Sequence, residues 1–191
     1  MLIDIHTHRP TSVVTITAVG LHPWQAATGV IPSEAEILSA DAVGEIGLDK
    51  ACEVDFEQQR AVFEAQLRLA EQYKKPVVVH CVRAFEEVIS ALEKFTLKAV
   101  IFHGFIGSQE QAARAVKKGY FLSFGARTER SKKTIEALRA TPLDRLFVET
   151  DEADTPIAEM YALVARLRNT EIKELEEATS RNYERILFSK E

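Results

Sequence analysis

Seven short apolar runs recur along the chain: LIDI, VVTITAV, DAVGEI, PVVVH, AVIFH, YFLSF and RLFVET. Each is continuous rather than alternating, the pattern of strands buried on both faces. Amphipathic segments separate most of them. In DFEQQRAVFEAQLRLAEQY, Phe56, Phe63, Leu67 and Ala70 share a face, and in AFEEVISALEKF so do Phe85, Val88, Ile89 and Leu92. Ser33 with Glu36 and Ser108 with Gln111 have capping-box spacing, and Gly119 stands where a helix should stop. Strands alternating with helices imply parallel pairing and right-handed crossovers, hence an α/β barrel or a doubly wound sheet. No GxGxxG follows the first run, which removes the usual support for a dinucleotide fold.

The connection between LIDI and VVTITAV is too short for a crossover helix. Its seven residues, HTHRPTS, span roughly 23 Å when extended. That is enough to return along a strand without a helix. A full eightfold barrel takes about 250 residues, with about 200 near the minimum, and this chain has 191. The expected fold is therefore a distorted, shortened TIM-barrel-like (β/α) barrel of about seven parallel strands, forming one domain over residues 1–191. The closing stretch EIKELEEATSRNYERILF reads as two helices with a solvated charged face.

The five histidines, His6, His8, His22, His80 and His103, all fall at or just beyond the C-terminal ends of these runs. Glu45 and Asp151 hold corresponding places. In a parallel barrel those ends converge on one face, where active sites are built. Any one histidine could be a hydrogen-bonded core residue, but scattered core histidines have no reason to choose a common edge. His6 and His8, at i and i+2 of an extended segment, point to the same side and can meet one ion. Imidazole with carboxylate suits zinc, manganese or iron, and carboxylate-rich variants accept magnesium. The donors suffice for two divalent ions. Glu45 and Asp151 lie among apolar flanks, where an unpaired carboxylate is costly. Pro23 pushes His22 toward an extended conformation, where a contact with substrate rather than metal is the alternative.

The net charge of −5 does not describe a generally basic nucleic-acid binder. Local basic residues do occur, and GARTERSKK sets Arg127, Arg130, Lys132 and Lys133 after a strand end, either as a phosphate guide or as a solvated charge run. Trp24 also follows a strand end and could stack a base or pack on the next helix. Two cysteines with no CxxC give no disulfide framework, and Cys81 beside His80 reads as a small buried hydrophobe. The opening MLIDIHTH has no signal-peptide h-region, and no apolar run reaches the ~20 residues of a membrane span. The expectation is a cytoplasmic monomer without membrane contact.

Taken in order, DIHTH, VGLHPW, VGEIGLD, KPVVVHC, FHGFIGS, YFLSFGA, PLDRLFVETD and EEATSRNYERIL resemble the TatD family of metal-dependent hydrolases in the amidohydrolase superfamily. The resemblance implies a distorted barrel with a two-metal centre. By position it implies that His6 and His8 bind one ion, that His80 and His103 bind the other, and that Glu45 bridges them. Asp151 would complete the first site and take the proton of the attacking water. TatD-like proteins are associated with metal-dependent deoxyribonuclease activity, so DNA or a small phosphodiester is the expected substrate. A small-molecule amidohydrolase with the same metals, or a non-catalytic metal-binding scaffold, are the alternatives. The chain departs from the family where FHCFSG becomes FHGFIG, in DEADTPIAEM after the final acid, and in the shortened first connection. Those departures bear on substrate identity rather than on the ligands.

Overall fold

A computed structural model describes residues 1–9 and 12–188. The chain divides into two compact units, Thr17–Phe102 and Met1–Ile16 with His103–Glu191. In the first, strands β1 (Ala18–Val19), β2 (Ala42–Asp49), β3 (Val77–Val82) and β4 (Val100–Phe102) pair in that order, all parallel. Helices α1 (Glu34–Ser39), α2 (Phe56–Gln72) and α3 (Phe85–Leu92) connect them, and a short 3-10 turn, Pro23–Thr28, follows β1. Phe63, Leu67, Val88 and Leu92, from the helical faces read in the sequence, are buried together with Val43, Ile46, Val78 and Ile101 of the strands. Each such side chain stabilises the unit by about 1.5–3 kcal/mol relative to exposure.

The second unit contains α4 (Gln109–Lys117), β5 (Phe121–Phe124), α5 (Lys132–Ala140), β6 (Leu146–Val148), α6 (Ile157–Arg168) and α7 (Ile172–Phe188). Strands β5 and β6 are parallel, with Leu122 opposite Leu146 and Phe124 opposite Val148. Both capping boxes form, at Ser33 with Glu36 and at Ser108 with Gln111. Helix α4 stops at Gly119, whose φ of 82° lets Tyr120 N–H return to Ala115 O at 3.1 Å.

Three expectations change. LIDI is not a regular strand, which leaves six strands rather than seven among the described residues. Asp4 N–H donates to Val14 O at 2.9 Å and Ile5 N–H to Val148 O at 3.1 Å, but the pairing is confined to isolated bridges, Ile3 with Val14 and Thr7 with Asp151. The backbone bends at Ile5 and His6, which stops a ladder from extending. Of VVTITAV only Ala18–Val19 is a strand. The closing stretch forms one helix, α7, rather than two. It holds no glycine or proline, and Thr179 satisfies its hydroxyl on Glu176 O at 3.1 Å within the helix. Asn182 donates to Leu143 O and Leu146 O, at 2.8 and 2.9 Å, and pins α7 to the start of β6.

Among the described residues no helix precedes β1, as the short connection required. Pro10 and Thr11 of HTHRPTS lie outside the described residues. No described helix is long and apolar enough to cross a membrane.

Strands β2 and β3 approach closely at Gly47, which pairs with His80. A Cβ at Gly47 would stand 1.8 Å from His80 O, whereas one at Gly119 would meet nothing within 4 Å. Gly47→Ala should therefore cost at least about 3 kcal/mol in chemical denaturation. Gly119→Ala should cost only the left-handed backbone penalty of about 1–2 kcal/mol. The reverse ranking would show that this strand contact is placed wrongly.

Candidate functional site

In the unit containing Met1–Ile16, the backbone brings the first candidate donors together. Asp151 N–H donates to His6 O at 3.0 Å, and His8 N–H donates to Asp151 O at 3.1 Å. This parallel bridge through Thr7 puts His6 and His8 beside the Asp151 carboxylate. Asp151 itself takes φ 54°, a left-handed conformation costing a non-glycine residue about 1–2 kcal/mol and found preferentially at functional sites. Asp4 braces the turn, accepting from Thr150 N–H at 3.0 Å and Thr150 Oγ1 at 2.6 Å. Burial nevertheless raises its carboxyl above the usual range.

His6 Nε2 and His8 Nε2 are 3.3 Å apart, and Asp151 Oδ1 stands 3.4 Å from the second and 3.8 Å from the first. Two ligands held at about 2.0–2.1 Å on a tetrahedral zinc ion stand about 3.3 Å apart. The three donors thus already have nearly the separations that one cation requires. His103 follows β4, its ring 4.5 Å from that of His6, and its Nδ1 is 3.8 Å from Glu149 Oε1. One donor atom from each of His103, Glu149 and Asp151 also lies within 4.8 Å of the others. Glu149 is buried. Burial by itself would raise its carboxyl, but the neighbouring His103 imidazole, with His6 beyond, outweighs this and holds it below the ordinary glutamate range.

The other unit carries the group His22, Glu45 and His80. Strands β2 and β3 run further than the apolar runs suggested, through Asp49 and Val82, so Glu45 and His80 lie within strands rather than at their ends. Between Val43 and Ile46 the register slips, and the resulting bulge re-aims Glu45. Its Oε2 is 3.5 Å from His80 Nδ1 and 3.7 Å from His22 Nε2. His22 is extended, as Pro23 requires, and its Nδ1 accepts the Trp24 N–H at 3.2 Å. With Nδ1 accepting, Nε2 is the protonated nitrogen of a neutral ring.

Helix α2 holds this cluster through two buried glutamines on one face. Gln66 clamps Leu21, accepting its N–H at 2.6 Å and donating to its carbonyl at 3.0 Å. Gln59 does the same for Asp49, at 2.8 and 3.1 Å. Asp49 Oδ2 accepts from Trp24 Nε1 at 2.7 Å and lies 3.0 Å from His80 Nε2. Burial pushes the Asp49 carboxyl up, and the bonds from Trp24, His80 and Ala51 N–H overcome that and lower it. Trp24 remains 58% exposed, its ring 4.7 Å from that of His22. Cys81 is no nucleophile, since desolvation pushes its thiol up to about 12.

Of the basic residues, Arg127 and Arg130 line a cavity of about 270 Å³ together with Glu149 and Asp151. Lys132 and Lys133 do not line it. They are exposed at the start of α5, and Lys133 acts on Glu110 of α4. Asp49 and Glu149 did not emerge from the strand-end reading. Glu149 is two residues from Asp151 and Asp49 four from Glu45, so the even spacing that singled out His6 and His8 applies to them as well.

The chain matches the family described as TatD related DNase over residues 4–188. It belongs to that family. A Haemophilus influenzae relative, named an uncharacterized metal-dependent hydrolase, is 36% identical over 155 residues, covering 73% of this chain and 59% of the relative. An Erwinia tasmaniensis protein named 3'-5' ssDNA/RNA exonuclease TatD is 33% identical over 147 residues, covering 71% and 57% respectively. The chain therefore spans about three fifths of the length of the curated relatives it matches. The crystal structure of YjjV, a TatD homologue from Escherichia coli, superposes with a TM-score of 0.79 at 28% identity, covering 92% of this chain and 78% of YjjV. The fold is thus of the TIM-barrel-like α/β class found in the TatD family.

His6 and His8 belong to one candidate donor group and His80 to another. His6→Ala combined with His8→Ala should remove one equivalent of bound zinc and leave the equivalent held near His80. Elemental analysis showing loss of both, or of neither, would contradict this assignment.

Proposed function

We propose that this TatD-family chain is a divalent-metal-dependent phosphodiesterase acting on DNA ends, with one cation held by each donor cluster. The observation that carries the reading is the His6, His8 and Asp151 triad, whose donors stand 3.3–3.8 Å apart beside a cavity lined by two arginines. His6, His8 and Asp151 would hold a divalent cation such as zinc, manganese or magnesium, which would supply acidification of water and neutralisation of phosphoryl charge. Asp151 then accepts the proton of the attacking water, in the general-base role its position offers. Arg127 and Arg130 pair with non-bridging phosphate oxygens. The water oxygen bonds to phosphorus as the phosphorus–oxygen ester bond breaks, and the leaving oxygen is protonated from solvent. His80 and Glu45 provide imidazole and carboxylate to the second cation, and His22 donates from Nε2. The exposed ring of Trp24 gives a base a face to stack on. Relatives named as single-stranded DNA and RNA exonucleases support a nucleic-acid substrate.

A metal-supplemented screen tests this, pairing bis-p-nitrophenyl phosphate and single-stranded DNA with a panel of amides and lactones. Hydrolysis of the phosphodiesters, with DNA competing, is the expected result. Turnover of an amide or lactone that DNA does not inhibit, without phosphodiester cleavage, would replace the proposal with a small-molecule amidohydrolase. No metal-dependent turnover at all would indicate a scaffold. Asp151→Asn should lower hydrolysis by about 10²- to 10⁴-fold while zinc near His80 is retained. Arg127→Ala should raise KM for DNA and reduce the salt slope by about one, with little effect on a small phosphodiester. Lys132→Ala and Lys133→Ala should change the slope less.

A further inference from the structure

Asp49 accepts hydrogen bonds from three directions. Ala51 N–H reaches Oδ1 at 2.7 Å, Trp24 Nε1–H reaches Oδ2 at 2.7 Å, and His80 Nε2 stands 3.0 Å from Oδ2. The carboxylate is only 3% exposed, and its own backbone is held at both N–H and carbonyl by Gln59. An ionised carboxylate only accepts, so the His80 nitrogen that faces it must carry a proton. In a neutral imidazole the lone pair then belongs to Nδ1, which lies 3.5 Å from Glu45 Oε2, while the 3.0 Å contact of Nε2 with Asp49 Oδ2 fixes the opposite side of the ring.

We propose that Asp49 is a positioning residue that fixes His80 in the Nε2–H tautomer and so turns its Nδ1 lone pair toward the cation shared with Glu45. The proposal rests on the metal reading above. Asp49 does not touch the reacting atoms. Its effect passes through the ring of His80, as carboxylates behind metal-bound histidines generally act. The same oxygen restrains Trp24, whose ring centroid is 6.1 Å from that of His80. One buried carboxylate therefore sets both the ligand nitrogen and the exposed aromatic face beside it.

The test has two parts. Proton–nitrogen correlation NMR on the full, metal-free protein, at a pH where imidazoles are neutral, reads the His80 tautomer directly. Wild-type protein should show Nε2 protonated and Nδ1 unprotonated, and Asp49→Ala should show a mixture of the two tautomers. Competition with a chromophoric chelator then measures zinc affinity, which in Asp49→Ala should fall about 10- to 100-fold for one equivalent. A wild-type His80 protonated at Nδ1 would overturn the proposal without any variant. A folded Asp49→Ala with both zinc affinities within about twofold of wild type would also overturn it, with the metal reading intact. Wild-type protein that takes up no zinc would overturn the metal reading and this proposal together.

Discussion

Carboxylates buried against imidazoles are the constraint to which much of this structure responds. Glu149 and Asp49 are 1% and 3% exposed, yet both are held below their ordinary titration ranges. Taking an ionised carboxylate out of water costs several kcal/mol unless hydrogen bonds and positive charge offset it. At Asp49 the offset comes from Trp24, His80 and Ala51, and at Glu149 first from His103. Such placements persist only where the surrounding backbone is itself fixed. Two glutamines on α2 and the Thr7–Asp151 bridge do that fixing. The local departures from regular structure, the bulge at Glu45 and the left-handed Asp151, fall on the donors themselves.

Much of the architecture could be read from the sequence because burial on both faces leaves an unbroken apolar run. PVVVH and YFLSF became strands on that signal, and the two capping boxes marked helix starts through the hydrogen bonds they form. LIDI carried the same signal but not the same structure. Its residues are buried, yet the bends at Ile5 and His6 confine its pairing to bridges. An apolar run reports burial and says nothing of how long a ladder lasts. The closing stretch read as two helices, but it is one continuous helix, α7, which Asn182 bonds to Leu143 O and Leu146 O.

The donors were legible as residue types at strand ends, and their partners less so. His6, His8 and Asp151 come together, and so do Glu45 and His80. Asp49 and Glu149 were hidden because an acid at the end of an apolar strand looks the same whether it ligates, caps a helix or braces a histidine. Only the distances to His80 and His103 separate these roles. The basic run after β5 illustrates the same limit. Its arginines and lysines are interchangeable as charges, but Arg127 and Arg130 face the cavity of Asp151 while Lys132 and Lys133 start a helix.

The central claim is that the two donor clusters are cation sites. Anomalous diffraction at the zinc absorption edge, from crystals grown with zinc, tests it most directly. The account predicts one peak bonded to His6, His8 and Asp151, and another bonded to His80 and Glu45, at about 2.0–2.2 Å from the nitrogen and oxygen donors. Zinc ordered elsewhere on the protein, with only water between these side chains, would contradict it.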